Sequence, residues 1–325
     1  MGIFGNRGTR GNVPALTMFA GDSPRLPVVR ASLARGDVAG AVGEIRNAPL
    51  AERFELVWAS ADDVPYEWLV AQHGALDDDA LLATYAGAAA MRHGWRARTN
   101  ADAERVDREQ FKTFWAWLAE AEQHLVRATS LAPDDATPWV YLLVTGRGLQ
   151  HERGELERVF RQAVARDPEH LEAYRQMMQF LCKKWFGTHE DMFAFARSVS
   201  AAAPTGSPLH ELPIFAHVER WVEFSVKDPH ELQQRAGYFR DPAVTAELSV
   251  ARERLGPLLT GAPDGRSVTA RNMLAFVAWR AGDKNAFADE IAAMHGVVSP
   301  MPWNYYPQYG LPVAVVTGAW QELHK

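Results

Sequence analysis

The sequence predicts an all-α protein of stacked helical hairpins, and three observations carry that prediction. Pro133, Pro168 and Pro204 punctuate the chain 35 and 36 residues apart. Six residues after the first two prolines stand the large aromatics Trp139 and Tyr174. Between the prolines, apolar residues recur with the 3.6-residue period of a helix buried on one side: Ala121, Leu125 and Ala128 form one stripe, Leu156, Phe160 and Ala163 another.

Each element has a local cause. Proline lacks an amide hydrogen and clashes with the preceding turn, yet fits a first helical turn, so it marks where one helix stops and the next begins. Asp134 and the Asp167-Pro168 pair place short polar side chains where exposed amides need a cap. The small residue in each stripe lets neighbouring helices approach closely. A unit of this length cannot bury its apolar face alone, so such units must stack.

Five segments follow along the chain. Residues 1–24 are rich in glycine and read as a flexible arm or a loosely docked strand. Residues 25–106 hold N-terminal hairpins: one at 26–47, then helices near 50–60, 65–73 and 78–95, with a polar connection at 96–106. The repeats proper occupy 107–226 and open on a long helix over 108–131. In 227–298, Asp228-Pro229 and Asp241-Pro242 each read as an N-cap followed by proline. A linker is expected at 255–267 and a last hairpin at 268–296. Residues 299–325 set Trp303, Tyr305, Tyr306, Tyr309 and Trp320 among prolines, which predicts an irregular cap over the last hairpin or, alternatively, a segment that lies in the protein's own groove and competes with a partner.

These residues resemble the tetratricopeptide repeat. Trp139, Leu142, Leu156, Phe160, Ala163 and Pro168 occupy that pattern's places, although Leu156 stands where a small residue is usual. Ala121, Leu125, Ala128 and Pro133 supply a preceding second half. Tyr174 and Pro204 continue the series, while Met192, Ala196 and Val199 fit it less well. Looser echoes are the Gly36-Asp37 and Gly282-Asp283 turns. The resemblance implies a right-handed α-solenoid with irregular N- and C-terminal caps. It also implies a concave groove built from the first helix of each pair. In that register the groove carries Thr137, Val140, Val144 and Arg147, then Glu172, Arg175, Gln179 and Lys183. Clamp-type members of the family hold acidic peptide ends with such charges.

Composition limits the function classes. A formal charge of −6 lacks the basic stripe of a nucleic-acid-binding protein. One cysteine, Cys182, leaves no intrachain disulfide or multi-thiolate zinc site and fits a cytoplasmic setting. The first residues lack a signal peptide's apolar run, and no stretch reaches membrane-spanning length. Lysine stands only at 112, 183, 184, 227, 284 and 325 against many arginines, a bias of high-GC bacterial genomes. No histidine pair has metal-ligand spacing, and no hydrolase motif occurs. No catalytic residue, metal or cofactor is therefore expected. The expected role is a scaffold that binds a protein or peptide, without nucleic acid or membrane. The rivals are an enzyme or small-molecule binder with a pocket between helices, and a homo-oligomeric assembly joined through the aromatic tail.

Overall fold

A computed structural model of the chain describes residues 13–72, 75–99, 107–261, 264–306 and 310–324. Residues 1–12 of the expected arm, residues 100–106 of the polar connection, residues 262–263 of the expected linker and Tyr309 lie outside the described residues. Among the described residues the chain is almost wholly helical, as the periodicity predicts.

The residues fall into two compact units. The first is Gly21–Gly187. It comprises α1 (Leu26–Ala34), α2 (Val38–Arg46), α3 (Leu50–Ser60), α4 (Tyr66–Val70), α5 (Ala75–Asp78), α6 (Ala80–Arg98), α7 (Arg108–Leu131), α8 (Thr137–Leu149), α9 (Arg153–Arg166) and α10 (Leu171–Phe180). The second joins the segment ending at Ala20 to the segment from Thr188. It holds β1 (Thr17–Met18), α11 (His189–Ala202), α12 (Glu211–Glu223), α13 (Pro229–Gly237), α14 (Pro242–Thr260), α15 (Gly265–Ala281), α16 (Lys284–Ala293), β2 (Val297–Val298) and α17 (Pro312–Leu323). The division between Gly187 and Thr188 falls inside the expected 107–226 array.

The punctuating prolines stand two residues beyond the ends of α7, α9 and α11. Caps fix the opposite ends. Asp107 and Gln110 close a capping box on α7, and Asp228 and Asp241 accept amides at the starts of α13 and α14. Before α8 the accepting carboxylate is Asp135, at 2.8 Å from the Thr137 amide, and not the expected Asp134. A one-residue shift of this kind follows from the turn between α7 and α8, which composition does not set. The expected 255–267 linker is mostly helix, because α14 runs through Pro257 to Thr260 and α15 begins at Gly265.

In the first unit α6 packs on α7, α7 on α8 and α8 on α9, and α8 also touches both α6 and α10. Leu56, Leu69, Leu118 and Leu125 are fully enclosed in its core. Close helix approach depends on missing side chains. At Gly148 a Cβ would strike Leu118 and stand 2.9 Å from Phe114, and at Gly87 it would stand 2.5 Å from Leu125. Gly146 and Gly148 therefore do not interrupt α8; Gly148 brings it against α7.

In the second unit α12 packs on α11, α14 and α15, and α15 on α16. The N-terminal segment is docked: Thr17 and Met18 pair in parallel with Val297 and Val298. Beyond β2, Trp303 is wholly buried, and its indole N–H donates to Asn272 Oδ1 at 2.6 Å. Asn272 is equally buried and donates to the carbonyls of Val268 and Val297. The aromatic tail thus packs on its own unit.

Candidate functional site

The eight groove residues named from the repeat register all belong to the first unit. On α8, Thr137, Val140, Val144 and Arg147 are buried. The Arg147 guanidinium lies over the rings of Trp185 (4.7 Å) and Trp95 (5.5 Å). On α10, Gln179 is buried, whereas Glu172 and Arg175 are half-buried and 3.4 Å apart. Lys183 is exposed beyond the end of α10. So the α8 stripe faces packed interior, and only Glu172, Arg175 and Lys183 keep surface. The cause lies in α8 itself, whose sequence TPWVYLLVTGRGL is apolar nearly all round. Such a helix offers no contrast from which to choose a face.

The residue that α8 presents toward Glu172 is Tyr141. Phe54 and Trp58, one turn apart on α3, stack at 5.5 Å, and both rings meet Tyr141, at 5.3 and 5.9 Å. The imidazole of His170, at the N-cap of α10, meets Phe54 edge-on at 4.9 Å. Arg92 of α6 lies 4.5 Å over the Trp58 ring and donates to the Trp58 carbonyl. Gln176 donates to Glu172 at 2.6 Å, one turn away on α10. Phe54, Trp58, Glu172 and Gln176 are each half-buried, so this aromatic cluster reaches the surface, at the candidate groove.

Two electrostatic features define it. Its charges are matched in pairs: Arg53 with Asp135 at 3.5 Å, Arg92 with Asp62 at 3.4 Å, and Arg175 with Glu172 at 3.4 Å. Its neutral polar groups are not. Among the described residues, the Tyr141 hydroxyl, His170 Nδ1 and Gln176 Oε1 are each buried without a hydrogen bond. Burial raises the Tyr141 pKa well above its ordinary value, so the phenol stays protonated. Burial also lowers the His170 pKa, against the opposing fields of Asp167 and Glu172, and keeps the imidazole neutral at pH 7. A buried polar group without a partner costs about 1–3 kcal/mol. Three of them together rival a good part of the ~5–15 kcal/mol stability of a domain.

Phe54, Trp58, Arg92, Tyr141, His170 and Gln176 escape the repeat register because they come from four helices, α3, α6, α8 and α10. Each is an ordinary residue in its own helix, and only the packing joins them. The one local hint is a hydroxyl-bearing ring inside the apolar run WVYLLV.

Among the described residues no group of His, Cys, Asp and Glu could hold a metal ion, and no helix is long and apolar enough to cross a membrane. Cys182 is buried, with its thiol toward the Met178 carbonyl at 3.4 Å. The described residues thus define an almost wholly helical protein in two compact units. No family model, curated protein or solved structure matches the chain.

Proposed function

We propose that this chain is a non-catalytic binding protein that holds a peptide segment of a partner protein in the groove floored by Phe54, Trp58 and Tyr141. One observation carries the reading. The Tyr141 hydroxyl, His170 Nδ1 and Gln176 Oε1 are neutral, buried and lack hydrogen-bond partners. A peptide main chain supplies neutral donors and acceptors in alternation, which is the complement such groups need. Half-buried rings beside them give an apolar or aromatic peptide side chain a surface. The matched ion pairs mean that the peptide needs no net charge, unlike the acidic ends that clamp-type repeats hold.

The tetratricopeptide-like solenoid belongs to the same proposal. Its support is that α8 touches its neighbours α7 and α9 and also α6 and α10, as stacked hairpins do. In this reading α6, α8 and α10 are the inner helices and line the groove. A cytoplasmic setting fits the single buried thiol.

Selection from a displayed library of random peptides tests the function. Peptides enriched on the natural protein are expected to lose most of their binding to Trp58→Ala and Gln176→Ala, with helical content unchanged. Enrichment of nothing, or of peptides that bind both variants as well as the natural protein, would remove the groove assignment.

A further inference from the structure

The second unit contains a cleft whose electrostatics differ from those of the groove. It has a volume of about 810 Å³, within the roughly 300–1,000 Å³ of small-molecule sites. Arg235, Arg240 and Arg280 all line it. Among the described residues none of the three forms an ion pair. Elsewhere in the same unit Arg197 binds Glu247 through two 2.8 Å contacts, and Arg252 and Arg271 both bind Glu290. The lining holds a single carboxylate, Glu322, which already accepts the Trp279 indole N–H at 2.9 Å. Three cations gathered in one concavity of a chain with net charge −6 form a local well for anions.

The aromatic lining holds two of these cations, Arg235 and Arg280, in place. The Arg235 guanidinium lies 4.0 Å from the Trp221 ring centre. Arg280 lies 4.3 Å from the Trp279 ring and 4.9 Å from the Trp221 ring. Stacking occupies the flat face of a guanidinium and leaves its N–H edge for in-plane hydrogen bonds. Arg280 Nε is buried and, among the described residues, has no hydrogen-bond partner. Arg240 uses one N–H on the Ala236 carbonyl and retains the rest. Three guanidinium forks offer more donors than the two oxygens of a carboxylate can take, whereas a phosphoryl group presents three terminal oxygens. At the cleft's edge Val226 and Leu232 are 61% and 48% exposed, an apolar surface beside the cations.

We propose that this cleft binds a small organic phosphate, its oxygens on Arg235, Arg240 and Arg280 and its apolar part against Val226 and Leu232. This site does not depend on the peptide reading of the groove.

Calorimetric titration of the full chain with hexyl phosphate, inorganic phosphate, hexanoate and hexanol tests it. Hexyl phosphate should bind tightest, at least ~10-fold better than hexanoate, by the greater strength of multiple charge-assisted bonds. Inorganic phosphate should bind more weakly, for want of the apolar contact. Arg240→Gln alters an exposed side chain and so leaves folding intact. It should weaken hexyl phosphate ~10-fold, the usual effect of losing one charge-assisted contact. Arg280→Gln should do so at least as strongly, with Arg240→Gln guarding against a folding defect. Leu232→Ser should weaken hexyl phosphate and leave inorganic phosphate unchanged. Equal binding of hexanoate would overturn the phosphate assignment. Hexyl phosphate binding no tighter than hexanol, or unaltered in Arg240→Gln, would overturn the site. Tyr141→Phe should leave every one of these titrations unchanged.

Discussion

The groove of the first unit and the cleft of the second are both lined by arginines and aromatic rings, yet their charges are arranged differently. In the groove each bordering cation stands beside a carboxylate, and among the described residues the buried atoms without a hydrogen bond include a phenol, an imidazole nitrogen and an amide oxygen beside Arg53 Nε and Arg92 Nε. In the cleft the cations themselves are outside any ion pair among the described residues, and two of them, Arg235 and Arg280, lie on indole faces. Residue content alone does not distinguish the two. What distinguishes them is which group already has its partner.

The largest effect that sharpens this contrast concerns Glu290. It is 1% exposed and receives both Arg252 and Arg271. Glu290→Ala strands the Arg271 guanidinium in a buried setting and should cost ~3–5 kcal/mol, read by denaturant unfolding. Arg240→Gln, on an unpaired exposed cation, should stay within about 0.5 kcal/mol of the natural protein in the same assay. A large loss at Arg240 would mean that the cleft arginines support the fold and are not reserved for a ligand.

Salt should then separate the two sites. Between 0.05 and 0.5 M sodium chloride, hexyl phosphate binding should weaken ~10-fold as unpaired surface cations are screened. Peptide binding in the groove should change less than about twofold, because its charges are already matched. Equal salt dependence would collapse the distinction.

The smallest predicted effect is on pH. Burial lowers the pKa of His170 in the first unit and of His217 in the second, so in the unfolded chain both bind protons more readily. Their contribution to stability is present above the ordinary histidine value of 6.5 and is lost as pH falls below it. Thermal melts should therefore fall between pH 7.5 and 5.5, and His170→Asn should flatten part of that fall, the rest coming from His93, His124, His210 and His217, whose pKa values burial also lowers. A melting temperature that rises over that interval would contradict the neutral assignment of the groove imidazole.

Much of the helical architecture was legible in the sequence, and the reasons are local. Proline cannot continue a helix, so Pro133, Pro168 and Pro204 locate the ends of α7, α9 and α11. Asp228 and Asp241 announce their helices by capping chemistry. The pairing of Thr17 and Met18 with Val297 and Val298 was not legible, since a two-residue strand has no periodicity and its partner lies at the other end of the chain. The candidate site was legible only on α10, whose polar Glu172 and Arg175 contrast with an apolar opposite side. On α8 the register put Val140 and Val144 in the groove, whereas Tyr141 meets it, because an all-apolar helix does not declare its inner face. The cleft arginines were unreadable for another reason. Arg235, Arg240 and Arg280 look like any surface arginines until the packing gathers them in one cleft, outside any ion pair among the described residues.

The most direct test of the binding role is Tyr141→Phe, followed by stability and peptide affinity measured on the same sample. Removing a buried hydroxyl that has no partner should leave the fold as stable or raise it by ~1 kcal/mol. The same change should weaken a selected peptide ~10-fold, since one hydrogen bond to the ligand is lost. Gain in stability with loss of affinity is the predicted result. Unchanged peptide affinity in that variant would contradict it, and would reduce the hydroxyl to an imperfection of the core.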